Sequence, residues 1–319
     1  MGQGPTDLDT LIALTARIEA ARADDPALAA CEPGELLRHV PDKRALLRCR
    51  LGSRAAIMRL GLAPGGSANA RTWAEMRRLW PHMSDGDARI AEPLHFNAPH
   101  DLLLVEDVAG EPLLPVIRRA RAGPARTRHL APAAHWLRKV TRTSEATAPA
   151  RPAPWLERAA KAATEQPFPA LAGLEQRILP HLQALAARLE GRDWRVAISH
   201  GDFHPNNLIL SGTRLTGIDI GGSSSLPIYK DMARFLMHMG RRDIDVSGAW
   251  WMGVDRSIAR AFGDAFDLSD FETDVVLPFF LGVEALIRVE SDSLPSSRIK
   301  RAERMYRRLL ADLETTRKA

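Results

Sequence analysis

The residues with the clearest chemical potential lie in two short segments, SHGDFHPNNLIL and LTGIDIGG. Asp202 stands between two apolar runs, Asn207 follows in the same segment, and Asp219 ends the next apolar run. In phosphoryl transfer a protein mainly positions the reactants and neutralises charge, because the phosphoryl group moves with little covalent help. A carboxylate can orient the attacking hydroxyl, while amide and carboxylate oxygens are ligands of the kind that Mg²⁺ prefers. The pattern therefore predicts a pocket on which the three side chains converge.

These segments resemble a known catalytic loop. His200, Asp202 and Asn207 reproduce the pattern H-x-D-x-x-x-x-N, and Asp219 stands where kinases have the aspartate of D-F-G. The form HGDFHPNN, followed by ID instead of D-F-G and without a segment ending in A-P-E, resembles the aminoglycoside phosphotransferase and choline kinase family. The resemblance implies an ATP- and Mg²⁺-dependent phosphotransferase. In it Asp202 is catalytic, Asn207 and Asp219 bind the metal, and His200 is a structural brace.

The resemblance continues upstream, on the side expected to bind the nucleotide. AAIMR matches the kinase strand V-A-I-K in place, but the basic residue is Arg59 and falls one position later. Arginine can still hold phosphate through two nitrogens. Glu75, on the helix that follows, is the expected ion-pair partner of Arg59. LLLVEDVAGEPL resembles the family's hinge, which implies that the Glu106 carbonyl and the Val108 amide contact adenine.

Two departures from the family pattern affect the predicted roles. No G-x-G-x-x-G precedes AAIMR, and the corresponding turn is HVPDKR, where Lys43 and Arg44 or backbone amides are the expected substitutes. PIYKDMARFL resembles the element P-x-x-D-x-A with one extra residue, so a structural role is expected for Asp231. Arg59 and the missing glycine loop keep a second hypothesis open, a nucleotide-binding pseudokinase or scaffold without transfer activity. The choice between ATP and GTP also stays open.

Hydrophobic periodicity predicts the elements that must position these residues. A helix is expected from Asp7 to Ala21, and the short runs from Glu35 onward, separated by Pro-Asp and Gly-Ser, suit an antiparallel meander. The helix ARTWAEMRRLWPHM interrupts the strands, and DLLLVEDV adds an apolar strand. After Leu113 the chain is predicted to be helical apart from strands in WRVAISH, NLILSG and RLTGIDI, with ATAPARPAP as a connector.

This order of elements predicts an α+β, protein-kinase-like fold with two lobes. The predicted small antiparallel-sheet lobe covers residues 1–106 and the hinge covers 107–113. The mainly helical lobe, with the catalytic loop and the acceptor site, covers 114–319. The helices predicted in it are 131–143, 154–165, 174–189, 230–239, 249–262, 271–289 and 297–313.

Composition indicates an ordinary folded protein and excludes few partners. Apolar residues make up 45% and charged residues 26%, and a formal charge of +5 is a weak argument for an anionic partner. The basic run RRARAGPARTRH is expected to be a solvated loop, so no nucleic-acid partner is predicted. The N-terminal segment lacks the pattern of a secretory signal and no apolar run is long enough to span a membrane, which favours a cytoplasmic protein, as a monomer or weak dimer.

The acceptor remains open, with an aminoglycoside, an amino alcohol or a sugar-like hydroxyl compound as the expected classes. A cationic acceptor would require several acidic side chains in the cleft, and the sequence offers Asp243, Asp245, Glu284 and Asp292. Another alternative is an iron-binding facial triad that uses His200 and Asp202 with His204 or His238 as the third ligand. This iron-site alternative gives no role to Asn207 or Asp219.

Overall fold

The short apolar runs after residue 30 form antiparallel strands because tight turns separate them. The computed structural model describes residues 8–66, 68–221 and 224–316. In it β1 (Cys31–Val40), β2 (Arg44–Leu51) and β3 (Arg54–Gly61) pair in sequence order. The first strand begins four residues before Glu35, where the meander was expected to start.

The described residues divide into two units, of which the first is rich in sheet. It contains the described residues up to Glu111 together with those from Ile209 to Gly221, a segment that the sequence analysis had placed in the helical lobe. Its main sheet has five strands in the order β1, β2, β3, Leu102–Glu106 and Pro93–Asn97. The other elements of this part of the chain are α1 (Leu8–Asp24), α2 (Ala68–Met83), β4 (Ala88–Ile90), β5 (Pro93–Asn97), β6 (Leu102–Glu106) and β7 (Glu111–Pro112).

Helix α1 covers one face of this sheet. Leu14 and Ile18 on the helix share a buried cluster with strand residues such as Met58 and Leu104. The predicted leading helix is therefore confirmed, although Asp7, its predicted first residue, lies outside the described residues. The C-terminal segment of this unit contributes β11 (Arg214–Gly217), which pairs in parallel with β4.

The second unit consists of Pro112–Leu208 and the described residues from Ser224 onward, and it is mainly helical. Its helices are α3 (Leu113–Arg119), α4 (Pro124–Thr127), α5 (Leu130–Arg142), α6 (Ala153–Ala163), α7 (Pro169–Leu189), α8 (Tyr229–Gly240), α9 (Arg256–Phe266), α10 (Leu277–Leu286) and α11 (Ser296–Thr316). Its strands are β8 (Ala146–Pro149), β9 (Asp193–Ile198), β12 (Ser225–Pro227), β13 (Trp250–Trp251) and β14 (Val254–Asp255), and β10 (Leu208–Ser211) begins where this unit first ends. The predicted α+β fold, with a sheet-rich part and a helical part, is confirmed.

Two local predictions in the second unit are wrong. Residues 249–255 form a β-hairpin instead of the start of a helix, because Met252 and Gly253 both have positive φ and make a two-residue turn. The connector ATAPARPAP is also more ordered than predicted, since β8 pairs antiparallel with β9. Within the described residues, no helix is long and apolar enough to cross a membrane.

Asp255 joins this hairpin to α9, and we expect its replacement by Ala to destabilise the fold. The buried carboxylate caps α9 by accepting from Ser257 N at 2.9 Å, and it also accepts from Val246 N at 2.9 Å and Ser247 N at 2.8 Å. Burial raises the pKa of Asp255, but the hydrogen bonds from Ser247 and Ser257 lower it by more. Losing the cap and leaving backbone donors unpaired should cost about 2–4 kcal/mol in the free energy of unfolding.

Urea unfolding of the wild-type and Asp255→Ala proteins measures this difference. Because the pKa is lowered in the folded state, the stabilisation is present above the usual aspartate pKa of 3.8 and is lost as the pH falls below it. The gap between the two proteins should therefore be constant near neutral pH and narrow in acid. Asp264→Ala, at a 73% exposed side chain on the same helix, is the control. A gap under about 0.5 kcal/mol, the scale of a surface substitution, would contradict the prediction.

Candidate active site

The loop that carries Asp202 is anchored by its neighbour Phe203. The Phe203 ring is fully buried and stacks on Trp136, with centroids 5.5 Å apart, and on Phe235 at 5.3 Å. His200 is also buried, and its ring lies 5.8 Å from that of Phe203. The Asp202 side chain, in contrast, is 49% exposed. The loop thus presents one carboxylate to solvent from an aromatic core.

Asp231, at the start of α8, holds the beginning of the same loop. Its buried Oδ2 accepts from Ser199 Oγ at 2.8 Å and from Gly201 N at 3.3 Å. Lys230 Nζ donates to the carbonyl of Gly201, whose φ of +87° suits a residue without a side chain. These contacts are what a structural role for Asp231 requires, despite the extra residue after the proline.

Basic side chains surround the Asp202 carboxylate. Arg234 Nε donates to Oδ1 at 2.8 Å, Arg288 Nη2 lies 3.6 Å from Oδ1, and His204 Nε2 lies 3.5 Å from Oδ2. Burial raises the pKa of Asp202, but the hydrogen bond from His204 and the charge of Arg234 lower it by more, so the pKa lies well below its usual range. The carboxylate is therefore ionised at neutral pH and can accept a hydrogen bond from a hydroxyl group.

Asn207 is held so that one defined atom can bind a cation. The residue is buried at the end of the 3₁₀ helix Pro205–Asn207, and its backbone N donates to His204 O at 2.9 Å. Its side-chain Nδ2 donates to the backbone carbonyl of Asp202 at 3.0 Å. Because the amide nitrogen is used in this way, the amide oxygen is the atom left to act as a metal ligand.

In the first unit, Asp219 follows β11 and has a left-handed backbone conformation, which aspartate adopts more readily than most residues with a side chain. Its φ is +54°, and its carboxylate is 46% exposed. The nearest cation is Arg59, whose Nη1 lies 3.6 Å from Asp219 Oδ1. Burial lowers the pKa of Arg59, and the charge of Asp219 partly offsets that effect.

The prediction that Glu75 forms an ion pair with Arg59 is wrong. Glu75 is buried on α2 and accepts two hydrogen bonds from Arg78, at 2.6 and 2.8 Å. The two side chains lie one helical turn apart, so this pair forms locally. Within the described residues, Arg59 instead has Asp219 as its ion-pair partner.

A basic cavity of about 470 Å³ lies in the first unit beside Arg59. Its wall includes Lys43 and Arg44, which were expected to replace the glycine loop, and also Arg38, which the sequence analysis did not single out. Arg38 and Arg44 lie on β1 and β2, and Lys43 lies in the turn that joins them. A hairpin that brings these cations to one wall suits a polyphosphate without needing a run of glycines.

The predicted hinge residues lie at the end of β6. The Glu106 carboxylate accepts from Arg89 Nη1 at 2.7 Å and from Glu92 N at 3.1 Å. Burial raises the pKa of Glu106, but the hydrogen bond from Arg89 lowers it by more. The Glu106 side chain is thus held within the first unit, and the adenine contacts of the Glu106 carbonyl and the Val108 amide stay predictions.

Comparison with known families shows which family the chain belongs to. A model described as APH, the phosphotransferase enzyme family, matches residues 49–271, which is more than half of the sequence. The chain belongs to this family. The match includes the strand of Arg59, the loop of Asp202, Asp219 and Asp231. None of the curated proteins matches the sequence.

Several solved structures share the fold of this chain. A glucosamine kinase in complex with glucosamine, ADP and phosphate has a TM-score of 0.61 at 17% identity, over 95% of this chain and 87% of that one. A choline/ethanolamine kinase family protein from Mesorhizobium loti has a TM-score of 0.56 at 15% identity, over 95% and 99%. A spectinomycin phosphotransferase with ADP and spectinomycin has 0.54 at 12%, over 99% and 100%. These similarities show that the chain has the kinase-like fold.

The acidic residues considered for a cationic acceptor already accept hydrogen bonds from donors of this phosphotransferase. Asp243 accepts from Arg304 at 2.7 Å and from Arg308 at 2.8 Å. Glu284 is buried on α10 and accepts from Arg288 Nε at 2.8 Å. Asp245 and Asp292 accept hydrogen bonds from their own loops, from Gly248 N and Ser291 Oγ respectively.

Arg234 and Arg288 are the residues around Asp202 that the sequence analysis missed. A signal for Arg234 was available, because Lys230, Arg234 and His238 recur every fourth residue along a helix whose other side chains, apart from Asp231, are mainly apolar. His204 and His238, the candidates for an iron site, stack on each other with ring centroids 4.7 Å apart. In the part of the chain that the structure describes, no three histidine, cysteine or acidic residues are grouped as a metal site.

Proposed function

We propose that this chain is a small-molecule kinase that transfers the γ-phosphate of ATP to a hydroxyl group. The observation that carries the proposal is the ionised Asp202 carboxylate, half-exposed on a loop that Phe203 and Asp231 fix in place. Membership of the phosphotransferase family and the ADP-bound structures of similar fold support ATP as the donor. The adenine contacts are assigned to the Glu106 carbonyl and the Val108 amide.

Asp202 orients the acceptor in the proposed reaction. Its carboxylate accepts a hydrogen bond from the acceptor hydroxyl, whose oxygen forms a bond to the γ-phosphorus as the bond to the β,γ-bridging oxygen breaks. The hydroxyl proton passes to Asp202, and ADP leaves with the bridging oxygen. A strongly acidic carboxylate suits this role, because a loose transition state needs alignment of the hydroxyl more than early removal of its proton.

The residues proposed to bind Mg²⁺ fit that ion by their chemistry. Asn207 offers an amide oxygen, since its nitrogen is bonded to the loop, and Asp219 offers a half-exposed carboxylate. Both are hard oxygen donors of the type found in Mg²⁺ sites. When bound, the ion would neutralise charge on the phosphates. Arg59 lies beside Asp219 and lines the basic cavity of the first unit, where we propose that it holds phosphate oxygens.

A nucleotide-binding pseudokinase is the alternative function that one observation favours. Arg59 replaces the usual lysine and lies 3.6 Å from Asp219, where it competes with a cation for the carboxylate. In that case the chain would bind ATP and transfer nothing.

Release of ADP across a panel of acceptors tests the proposed function. The panel contains amino sugars, aminoglycosides, choline, ethanolamine, homoserine and simple sugars, each with ATP and with or without excess EDTA. We expect ADP release that requires both an acceptor and free Mg²⁺, because the proposed metal ligands bind the phosphates only through a cation. Acceptor-dependent turnover that persists in EDTA would contradict the metal assignment, and ATP binding without turnover on any acceptor would favour the pseudokinase.

A further inference from the structure

The side chains in direct contact with Asp202 have balanced charges. Arg234 and Arg288 each lie between two carboxylates, those of Asp202 and Glu284. Arg234 Nη1 is 3.5 Å from Glu284 Oε1, and Arg288 Nε donates to the same oxygen at 2.8 Å. Two guanidinium groups thus match two carboxylates, and this part of the site has no surplus charge.

Farther from Asp202, Arg242 and Arg298 carry positive charge that no carboxylate balances among the described residues. Arg242 lies just beyond α8 and donates to His238 O at 2.9 Å. In the sequence Arg234, His238 and Arg242 recur at intervals of four residues. Among the described residues, neither Arg242 nor Arg298 has a carboxylate within ion-pair distance, although both are partly buried. The nearby Glu290 is already paired with Arg241.

The arginines beside Arg242 are close enough to disfavour its charge. Burial lowers the pKa of Arg242 to about 9, and the positive charges of Arg298 and Arg234 act in the same direction. Like charges that crowd in this way are stabilised when an anion binds among them. Arginine also binds carboxylate and phosphate groups through paired N–H donors.

Unpaired polar atoms occur in the same place. His238 Nε2 and His204 Nδ1 are buried and have no hydrogen-bond partner within the described residues, and the His204 ring connects this region to Asp202. Buried polar atoms of native proteins usually have a hydrogen-bond partner, so two of them beside arginines that lack a carboxylate favour a bound water or ligand at this place. Burial also lowers the pKa of His238, which keeps its ring neutral.

We propose that the phosphate acceptor is an anionic hydroxy compound whose carboxylate or phosphate group binds Arg242 and Arg298. The inference rests on the proposed function, because Asp202 marks the place of the acceptor hydroxyl. It differs from two of the three acceptor classes expected from the sequence, since aminoglycosides and amino alcohols are cations. Such acceptors need surplus carboxylates, whereas Glu284 and Asp243 are both neutralised by arginines.

Matched pairs of hydroxy compounds test this proposal by binding and by turnover. The probes are D-glycerate with glycerol, gluconate with glucitol, and glucosamine 6-phosphate with glucosamine. Binding is measured calorimetrically with ADP and Mg²⁺ present, and turnover is measured as acceptor-dependent release of ADP. We expect at least one anionic member to bind and to react at least roughly tenfold better than its partner, the effect of one charge-assisted contact.

Arginine variants locate the anion. Arg242→Gln and Arg298→Gln should each raise the Kd and KM of the anionic compound about tenfold, while the Kd of ATP is unchanged. Arg307→Gln, at a 63% exposed side chain on the same helix as Arg298, is the control and should change neither value. Arg44→Gln, in the cavity of the first unit, tests whether the anion binds there instead.

The outcomes separate this inference from the proposed function. Arginine-dependent binding of anions without turnover would support the anion site and contradict the transfer activity. Turnover of neutral or cationic members that ignores both arginine variants would overturn the anion site and leave the kinase proposal standing. Anion binding that is lost in Arg44→Gln alone, or absent for every pair, would also overturn the inference.

Discussion

Replacing Asp202 by Asn should lower kcat by about 10²–10⁴, the usual contribution of a positioned acid or base, and leave ATP affinity unchanged. The amide has the shape of the carboxylate, but it lacks the charge that accepts the hydroxyl proton. The anchors of the loop are untouched, because Phe203 stays in the aromatic core and Asp231 still binds Ser199 and Gly201. The loss should therefore appear in kcat and not in folding.

Steady-state kinetics and calorimetric ATP binding on the same preparations check this expectation. Asp264→Asn, at a 73% exposed carboxylate of the second unit, is the matched control and should keep wild-type kcat. Asp202→Ala should be at least as inactive as Asp202→Asn. If Asp202→Asn and the wild-type protein have the same kcat, Asp202 is not the residue that orients the hydroxyl.

Replacing Asp219 by Asn should remove most of the Mg²⁺ dependence of ATP binding. The change converts an anionic ligand into a neutral one, and altering even the outer partners of a metal site typically costs roughly 10- to 100-fold in metal affinity. Asparagine adopts positive φ readily, so the backbone at +54° is preserved and the charge alone changes. Arg59, freed from its contact at 3.6 Å, would still be available to the phosphates.

Titrations with ATP in Mg²⁺ and in EDTA measure this effect. Wild-type protein should bind ATP at least about tenfold more tightly with Mg²⁺ than without it, and Asp219→Asn should show little difference. Asp42→Asn is the control, because Asp42 is an exposed aspartate of the first unit with a φ of +55°. A full Mg²⁺ dependence in Asp219→Asn would remove that residue from the metal site.

Local patterns were sufficient to predict most of the fold. The meander followed from short apolar runs between turn residues, and α8 from apolar residues at helical spacing. The hairpin at 250–255 was missed because it depends on positive φ at Met252, which a sequence pattern does not show.

The site was predictable where a motif is contiguous and not where its partners are distant. Asn207 Nδ2 donates to the backbone carbonyl of Asp202 within the contiguous loop, and Asp231, at the start of α8, accepts from Gly201 N of the same loop. Arg288 reaches Asp202 from the segment just after α10, and its position beside Asp202 follows from the packing of the chain and not from a local pattern. The predicted pairing of Glu75 with Arg59 was wrong for the opposite reason. Arg78, one turn away on the same helix, binds the Glu75 carboxylate in place of Arg59.

The fate of the γ-phosphate is the most direct test of the account. Wild-type protein and Asp202→Asn are incubated with ATP labelled at the γ-phosphate, Mg²⁺ and the best acceptor found, and the products are separated. We predict label covalently attached to the acceptor in the wild-type reaction and at least about a hundredfold less in the variant. Label found only in ATP and inorganic phosphate, or equal labelling by both proteins, would contradict it.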